Sequence, residues 1–482
     1  MTAGSKPAPP SHNATARTYF EHSTANRVNT DAVLVDSLRA EYPNLHLTVV
    51  PQGSCNLLAY ASAGHAGLAS IDNEKDRLSW RLFLPPTTRL TGGDGTLADN
   101  IKFGKYLLDW ERKEYVVYVA DGRDGGSAYP SITNQYILSP SVDATNRLLL
   151  EAGKWNSELH NEVWVFDGGY WQKSAQLWDS VQKASWDDVI LDKSMKDAIR
   201  SDVNTFFDSR DTYQRLKVPW KRGIIYYGPP GNGKTISVKA TMNMLYARKS
   251  PIPTLYVKTL ASFGGPEYSI NQIFARARRE APCYLVFEDL DSIVTDRVRS
   301  YFLNEVDGIK SNDGILMVGS TNHLDRLDPG IAKRPSRFDR KYLFPNPNEE
   351  ERTLYAKFWQ NKLKDNEDVE FPDKLCPAIA KITKGFSFAY MQEAMVASLL
   401  AIARDEDHFA ERLCLECMGI KHSDKACTRE TKRSFKGLSD WVFAVRSLDE
   451  EDPSLDGLVL WREIKKQVRI LREEMAEEQG RR

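Results

Sequence analysis

Nothing in this chain restricts its fold more tightly than the octet GPPGNGKT, Gly228 to Thr235. It follows the apolar run GIIYY and opens the helical stretch ISVKATMNMLYA, the strand–loop–helix setting that G-x-x-x-x-G-K-[ST] requires. Glycines at Gly228, Gly231 and Gly233, with Pro229, Pro230 and Asn232 between them, let backbone N–H groups and a helix N-terminus face phosphates. Lys234 then reaches the β- and γ-phosphates, the Thr235 hydroxyl ligates Mg²⁺, and Ile236 continues the helix. A bare glycine-rich turn would not need the lysine and hydroxyl at these positions. ATP and Mg²⁺ are therefore the expected ligands.

The strand CYLVFED ends on two acids, Glu288 and Asp289, about fifty residues downstream. One carboxylate at such a strand end holds the metal's hydration shell, and the next activates water. By position Glu288 takes the metal role and Asp289 the base role. Asn322, after ILMVGST, is placed to orient the water or γ-phosphate. KRPSRFDR brings Arg334 and Arg337, suited to neutralising transition-state charge from a neighbouring subunit.

Around this site the chain changes texture. Residues 1–30 are polar and read as a disordered tail. Residues 31–184 carry short runs such as LHLTVV, LSWRLFL, EYVVYVA and EVWVFD between GGDG, DGRDGG and DGG turns, which predicts a β-rich α+β domain. Residues 185–347 alternate buried strands with helices, predicting a three-layer α/β/α domain with a parallel sheet. Residues 348–482 read as a helical lid and C-terminal helices. Within them CLECMGIKHSDKAC sets Cys414, Cys417, His422 and Cys427 at the C-x₂-C-x₄-H-x₄-C spacing of a zinc knuckle, an insertion at 411–430. Three thiolates and an imidazole would close a structural Zn²⁺ site. The alternative is a helical insertion with partly buried thiols.

These motifs together resemble the AAA family of ATPases, from SWDDVILDKSMKDAI at 185–199 through RFDRKYLFPNPNEEE to GFSFAYMQEAM. VFEDLDS, STNHLDRLDP and WKRGIIYYGPPGNGKT look most like the Bcs-type subgroup, typified by the mitochondrial chaperone that translocates the Rieske iron–sulfur protein; that subgroup also carries Glu–Asp rather than Asp–Glu. The resemblance implies a nucleotide-dependent homo-oligomeric ring of six or seven subunits, acting on a protein substrate bound by the 31–184 domain. It also places Phe263 and Gly264, in SFGGPE, where ring unfoldases grip substrate, although a Phe after a strand is more often a core residue. The segment between LDP and Arg334, Gly330 to Lys333, is longer than usual in the family, which makes Arg337 the leading trans arginine and Arg334 the second.

Bulk properties narrow the alternatives. Lys and Arg number 65 against 66 Asp and Glu, so no basic surplus favours a nucleic-acid remodeller. The best apolar stretch, AMVASLLAIA, is too short for a membrane helix, and the membrane anchor of the mitochondrial chaperone has no counterpart here. Six cysteines in a chain this long form no disulfide framework. An intracellular soluble protein is expected, cytoplasmic or nuclear in preference to mitochondrial. A nucleotide-switched assembly scaffold with negligible hydrolysis is the competing class.

Overall fold

The computed structural model describes residues 30–71, 76–86, 93–121, 132–307, 310–332, 334, 337–366, 368–417 and 455–480. The chain divides into two compact units after His160.

The first unit opens with α1 (Thr30–Glu41), β1 (His46–Pro51) and α2 (Leu57–Ser62). Next come β2 (Gly67–Ser70), β3 (Leu78–Leu84), β4 (Thr96–Trp110), β5 (Lys113–Asp121), β6 (Thr133–Ser139) and α3 (Val142–Ser157). All its strand pairs are antiparallel, in the order β1-β6-β5-β4-β2, with β3 added on β4. The β4–β5 hairpin turns on Glu111 and Arg112, both at positive φ, the two-residue geometry whose twist matches the flanking strands. Alternation sorts side chains by face. Leu108, Tyr115, Val117 and Ile137 pack with α2 and α3, while Tyr118, Tyr136 and Leu138 pack with Leu38 of α1.

The second unit begins with a hairpin, β7 (Val163–Asp167) and β8 (Tyr170–Ser174), then α4 (Ala175–Gln182), α5 (Lys193–Asp208) and α6 (Arg210–Leu216). Strand and helix then alternate: β9 (Lys221–Tyr227), α7 (Lys234–Tyr246), β10 (Thr254–Val257), α8 (Pro266–Glu280), β11 (Cys283–Phe287), α9 (Leu290–Ile293) and α10 (Arg299–Asp307). After β12 (Ile315–Thr321) come α11 (Pro329–Ala332) and β13 (Arg340–Leu343). Four helices follow: α12 (Glu349–Lys362), α13 (Leu375–Ile382), α14 (Phe388–Cys417) and α15 (Val459–Gly480).

The sheet order is β13-β9-β12-β11-β10-β7-β8, parallel throughout except for the β7–β8 hairpin. Every side chain of β10, β11 and β12 is buried, as expected of parallel strands covered on both faces. Burial of each large side chain such as Phe287 contributes about 1.5–3 kcal/mol. The lid helices form a separate core around Trp359, Phe386, Met391 and Trp461.

The sequence reading placed EVWVFD in the N-terminal domain ending at 184. In the structure this segment is β7, paired in parallel with β10 through Leu255↔Trp164 and Val257↔Phe166. A short apolar run flanked by turn residues has the same pattern in either kind of sheet, so periodicity could not assign it.

Candidate functional site

Strand order brings the expected groups together. β12 lies between β9 and β11, with Tyr227 opposite Thr321 and Phe287 opposite Gly319. The residues that follow these strands, Gly228, Asn322 and Glu288, therefore emerge side by side at one end of the sheet. Ligands of open parallel sheets bind at this end.

Gly228, Gly231 and Gly233 all have positive φ. A Cβ at Gly228 would lie 2.2 Å from the Phe344 carbonyl oxygen, and one at Gly231 would lie 2.4 Å from Cβ of Ala389. Gly233 caps α7, so the helix starts with its N–H groups directed out of the loop. Lys234 is 8% exposed and its ammonium donates to the carbonyls of Gly228 (2.7 Å) and Pro229 (2.9 Å). Burial pushes its pKa below the ordinary lysine value, while Asp289 and Asp291 pull it back up. Thr235 and Ile236 are exposed at the helix start. Asn232 donates to Asn346 (2.8 Å), and the Ala389 amide donates to the Gly231 carbonyl (3.2 Å), which joins the loop to α14 of the lid. A cleft of about 950 Å³ opens beside the loop, bounded by Gly228, Pro229, Pro230, Asn322 and Lys341 among others.

The acids stand at the end of β11. Asp289 adopts the left-handed conformation (φ 51°, ψ 54°), and its amide donates to Ser320 Oγ at 3.2 Å. Few non-glycine residues adopt this conformation, aspartate and asparagine most readily, and it recurs at working sites. Glu288 Oε2 accepts a hydrogen bond from the Tyr256 phenol, whereas Oε1 is buried with no partner among the described residues. Together with the exposed Thr235, this oxygen would supply oxygen donors of the kind Mg²⁺ takes. When bound, the ion would neutralise charge on the nucleotide's phosphates.

Several participants escaped the sequence reading. Asp291 accepts from Thr321 Oγ1 at 2.6 Å and acts electrostatically on Lys234. Its signal was available: a third acid two places beyond Asp289. Gly319 also matters, because a Cβ there would lie 2.7 Å from Leu290 Cδ2, so glycine lets the turn after Asp289 close over β12.

The two arginines differ in their surroundings. Arg337 is 7% exposed; its Nε donates to Asp307 Oδ1 (2.8 Å), Nη2 to Asp307 Oδ2, and Nη1 to the Gly330 carbonyl (2.6 Å). That pairing raises the Arg337 pKa further and lowers that of Asp307. Arg334 is exposed. Arg337, expected to reach a neighbour, is thus held by partners within its own chain, whereas Arg334 is open to solvent.

Phe263 is fully exposed in the loop between β10 and α8, and Gly264 packs against Tyr268, where a Cβ would lie 2.9 Å from the ring. Cys414 and Cys417 fall on the last turn of α14, while His422 and Cys427 lie outside the described residues. Among the described residues no group of three or more His, Cys, Asp or Glu could hold a metal, and no helix is long and apolar enough to cross a membrane.

The family model of the ATPase family associated with various cellular activities (AAA) matches residues 224–346. An AAA domain is therefore present there, and it supports nucleotide binding and an ATPase-type activity in general.

Proposed function

We propose that the chain is an AAA-type ATP hydrolase, resembling the Bcs-type subgroup, that works as a homo-oligomeric ring of six or seven subunits on a protein substrate. One observation carries this reading: Glu288, Asp289 and Asn322 follow the same ends of neighbouring strands β11 and β12 as the loop after β9, to whose Gly228 carbonyl Lys234 donates. Loop amides and Lys234 hold the triphosphate, Thr235 and Glu288 hold Mg²⁺, and Asp289 takes the proton from the attacking water. Asn322 orients that water. Arg334 of one subunit serves the site of the next, anchored by Arg337 at its base. Phe263 contacts the substrate protein, for which its full exposure argues. Steady-state ATP hydrolysis tests the proposal: wild type should turn over with Mg²⁺, and Asp289→Asn should not. Light scattering with ATP should report the ring.

A nucleotide-switched scaffold is the second reading, favoured by the commitment of Arg337 to Asp307. It requires equal, negligible turnover in wild type and Asp289→Asn.

A further inference from the structure

We propose that Tyr256 is a positioning residue for Glu288, fixing one carboxylate oxygen so that the other is presented to the nucleotide's metal ion. This inference rests on the metal–nucleotide reading of the site given above.

Tyr256 lies on β10, in register with Val286 of β11. Residues two apart on a strand share a face, so Glu288, two beyond Val286, lies on the side of the sheet that carries the Tyr256 ring. The ring is 8% exposed within the main core cluster, which leaves the phenol little freedom. Its hydroxyl donates to Glu288 Oε2.

The glutamate explains why such a donor is needed. It has one more rotatable bond than the aspartate that usually precedes the base, and that added freedom must be frozen to present an oxygen at a fixed point. A charge-assisted bond from a rigid aromatic side chain does so at Oε2. The second oxygen, Oε1, is buried without a partner among the described residues. A carboxylate with one oxygen anchored and the other bare is oriented for a cation or its water. Tyr256 would thus act through Glu288 and touch neither metal nor phosphate.

The test compares ATP dissociation constants, measured by calorimetry with Mg²⁺ and with EDTA, in the full chain. The ratio of the two is the magnesium increment. Loss of a hydrogen bond to a charged group should reduce the increment of Tyr256→Phe about tenfold and leave the metal-free constant unchanged. Glu288→Gln should lose at least as much, and the double variant should lose nothing more than Glu288→Gln alone. A Tyr256→Phe protein with the wild-type increment overturns the inference. So does a double variant that falls a further tenfold, since the phenol would then act independently of the acid. If Tyr256→Phe does not fold, the double variant, which removes the buried charge together with its donor, still allows the comparison with Glu288→Gln. Absence of turnover in a wild type with a normal increment would sink the hydrolysis reading alone, because the binding comparison needs no turnover.

Discussion

Two polar regions of the second unit are built on opposite plans. Around the phosphate loop, groups are left incompletely matched among the described residues: the Lys234 ammonium donates to two loop carbonyls, Thr235 is exposed, and Glu288 Oε1 has no partner. In the segment from Arg337 to Tyr342, most charges are matched within the chain. Arg337 pairs with Asp307, Asp339 with Arg222 (2.9 Å), Arg340 with Asp202 (3.3 Å), and the Tyr342 hydroxyl donates to Asp202 (2.6 Å). Unmatched polar groups are costly unless a ligand completes them, so the first plan suits the nucleotide site proposed above. The second plan describes a joint. It ties β13 to β9 and α5, while Arg334, just ahead of it, is exposed.

The largest test of this contrast is Asp289→Asn. Asparagine tolerates the left-handed backbone, so the fold should persist while kcat drops about 10³-fold. A variant that keeps most of its turnover would remove Asp289 from the chemistry. Lys234→Ala should weaken ATP binding by about 100-fold, from loss of the buried ammonium at the phosphates, and calorimetry would detect it. Arg334→Ala should lower turnover by at least about tenfold at an unchanged melting temperature. Arg337→Ala should show the opposite balance. Because the Asp307 side chain is 39% exposed, its ion pair is discounted for solvent screening, leaving a loss of about 1–2 kcal/mol, read as a fall of several degrees in melting temperature. Equal effects of the two substitutions on both measurements would collapse the distinction.

The smallest effect concerns pH. Asp307 has a folded-state pKa below its ordinary value of 3.8, chiefly through the hydrogen bond from Arg337. A depressed carboxylate contributes its stability fully above the unfolded pKa and loses it as pH falls through the folded one. The melting-temperature gap between wild type and Arg337→Ala should therefore be constant above about pH 5 and narrow below pH 3.8. A gap that widens with acid would contradict the assignment.

What the sequence made legible here was local. The phosphate loop is one contiguous octet whose glycines, lysine and hydroxyl each have a fixed geometric duty, and Glu288 and Asp289 were recognisable from the apolar strand that ends on them. Partnerships across strands were not legible. Tyr256 meets Glu288 from 32 residues away, Ser320 meets Asp289 from 31, and Asp307 meets Arg337 from 30. No spacing rule links such pairs; only the sheet order does. For the same reason the motif named Arg337 but not Asp307, the aspartate that pairs with it. The hairpin at 163–174 was missed because its strands carry no periodic sign of whether they join a parallel or an antiparallel sheet.

That hairpin has a practical consequence for solubility. Trp164 stacks on Arg276, 3.6 Å from ring centre to guanidinium, and the Trp171 indole donates to the Gln272 carbonyl, so the hairpin is fastened to α8 as well as to β10. A chain shortened to begin at 185 would retain each phosphate-site residue named above but strip this cover. The fully buried strand Thr254–Val257 would become a bare edge with unpaired N–H and C=O groups, a template for aggregation. An excised ATPase unit should start no later than Asn161, so that the edge offered to solvent is the short polar strand Tyr170–Ser174.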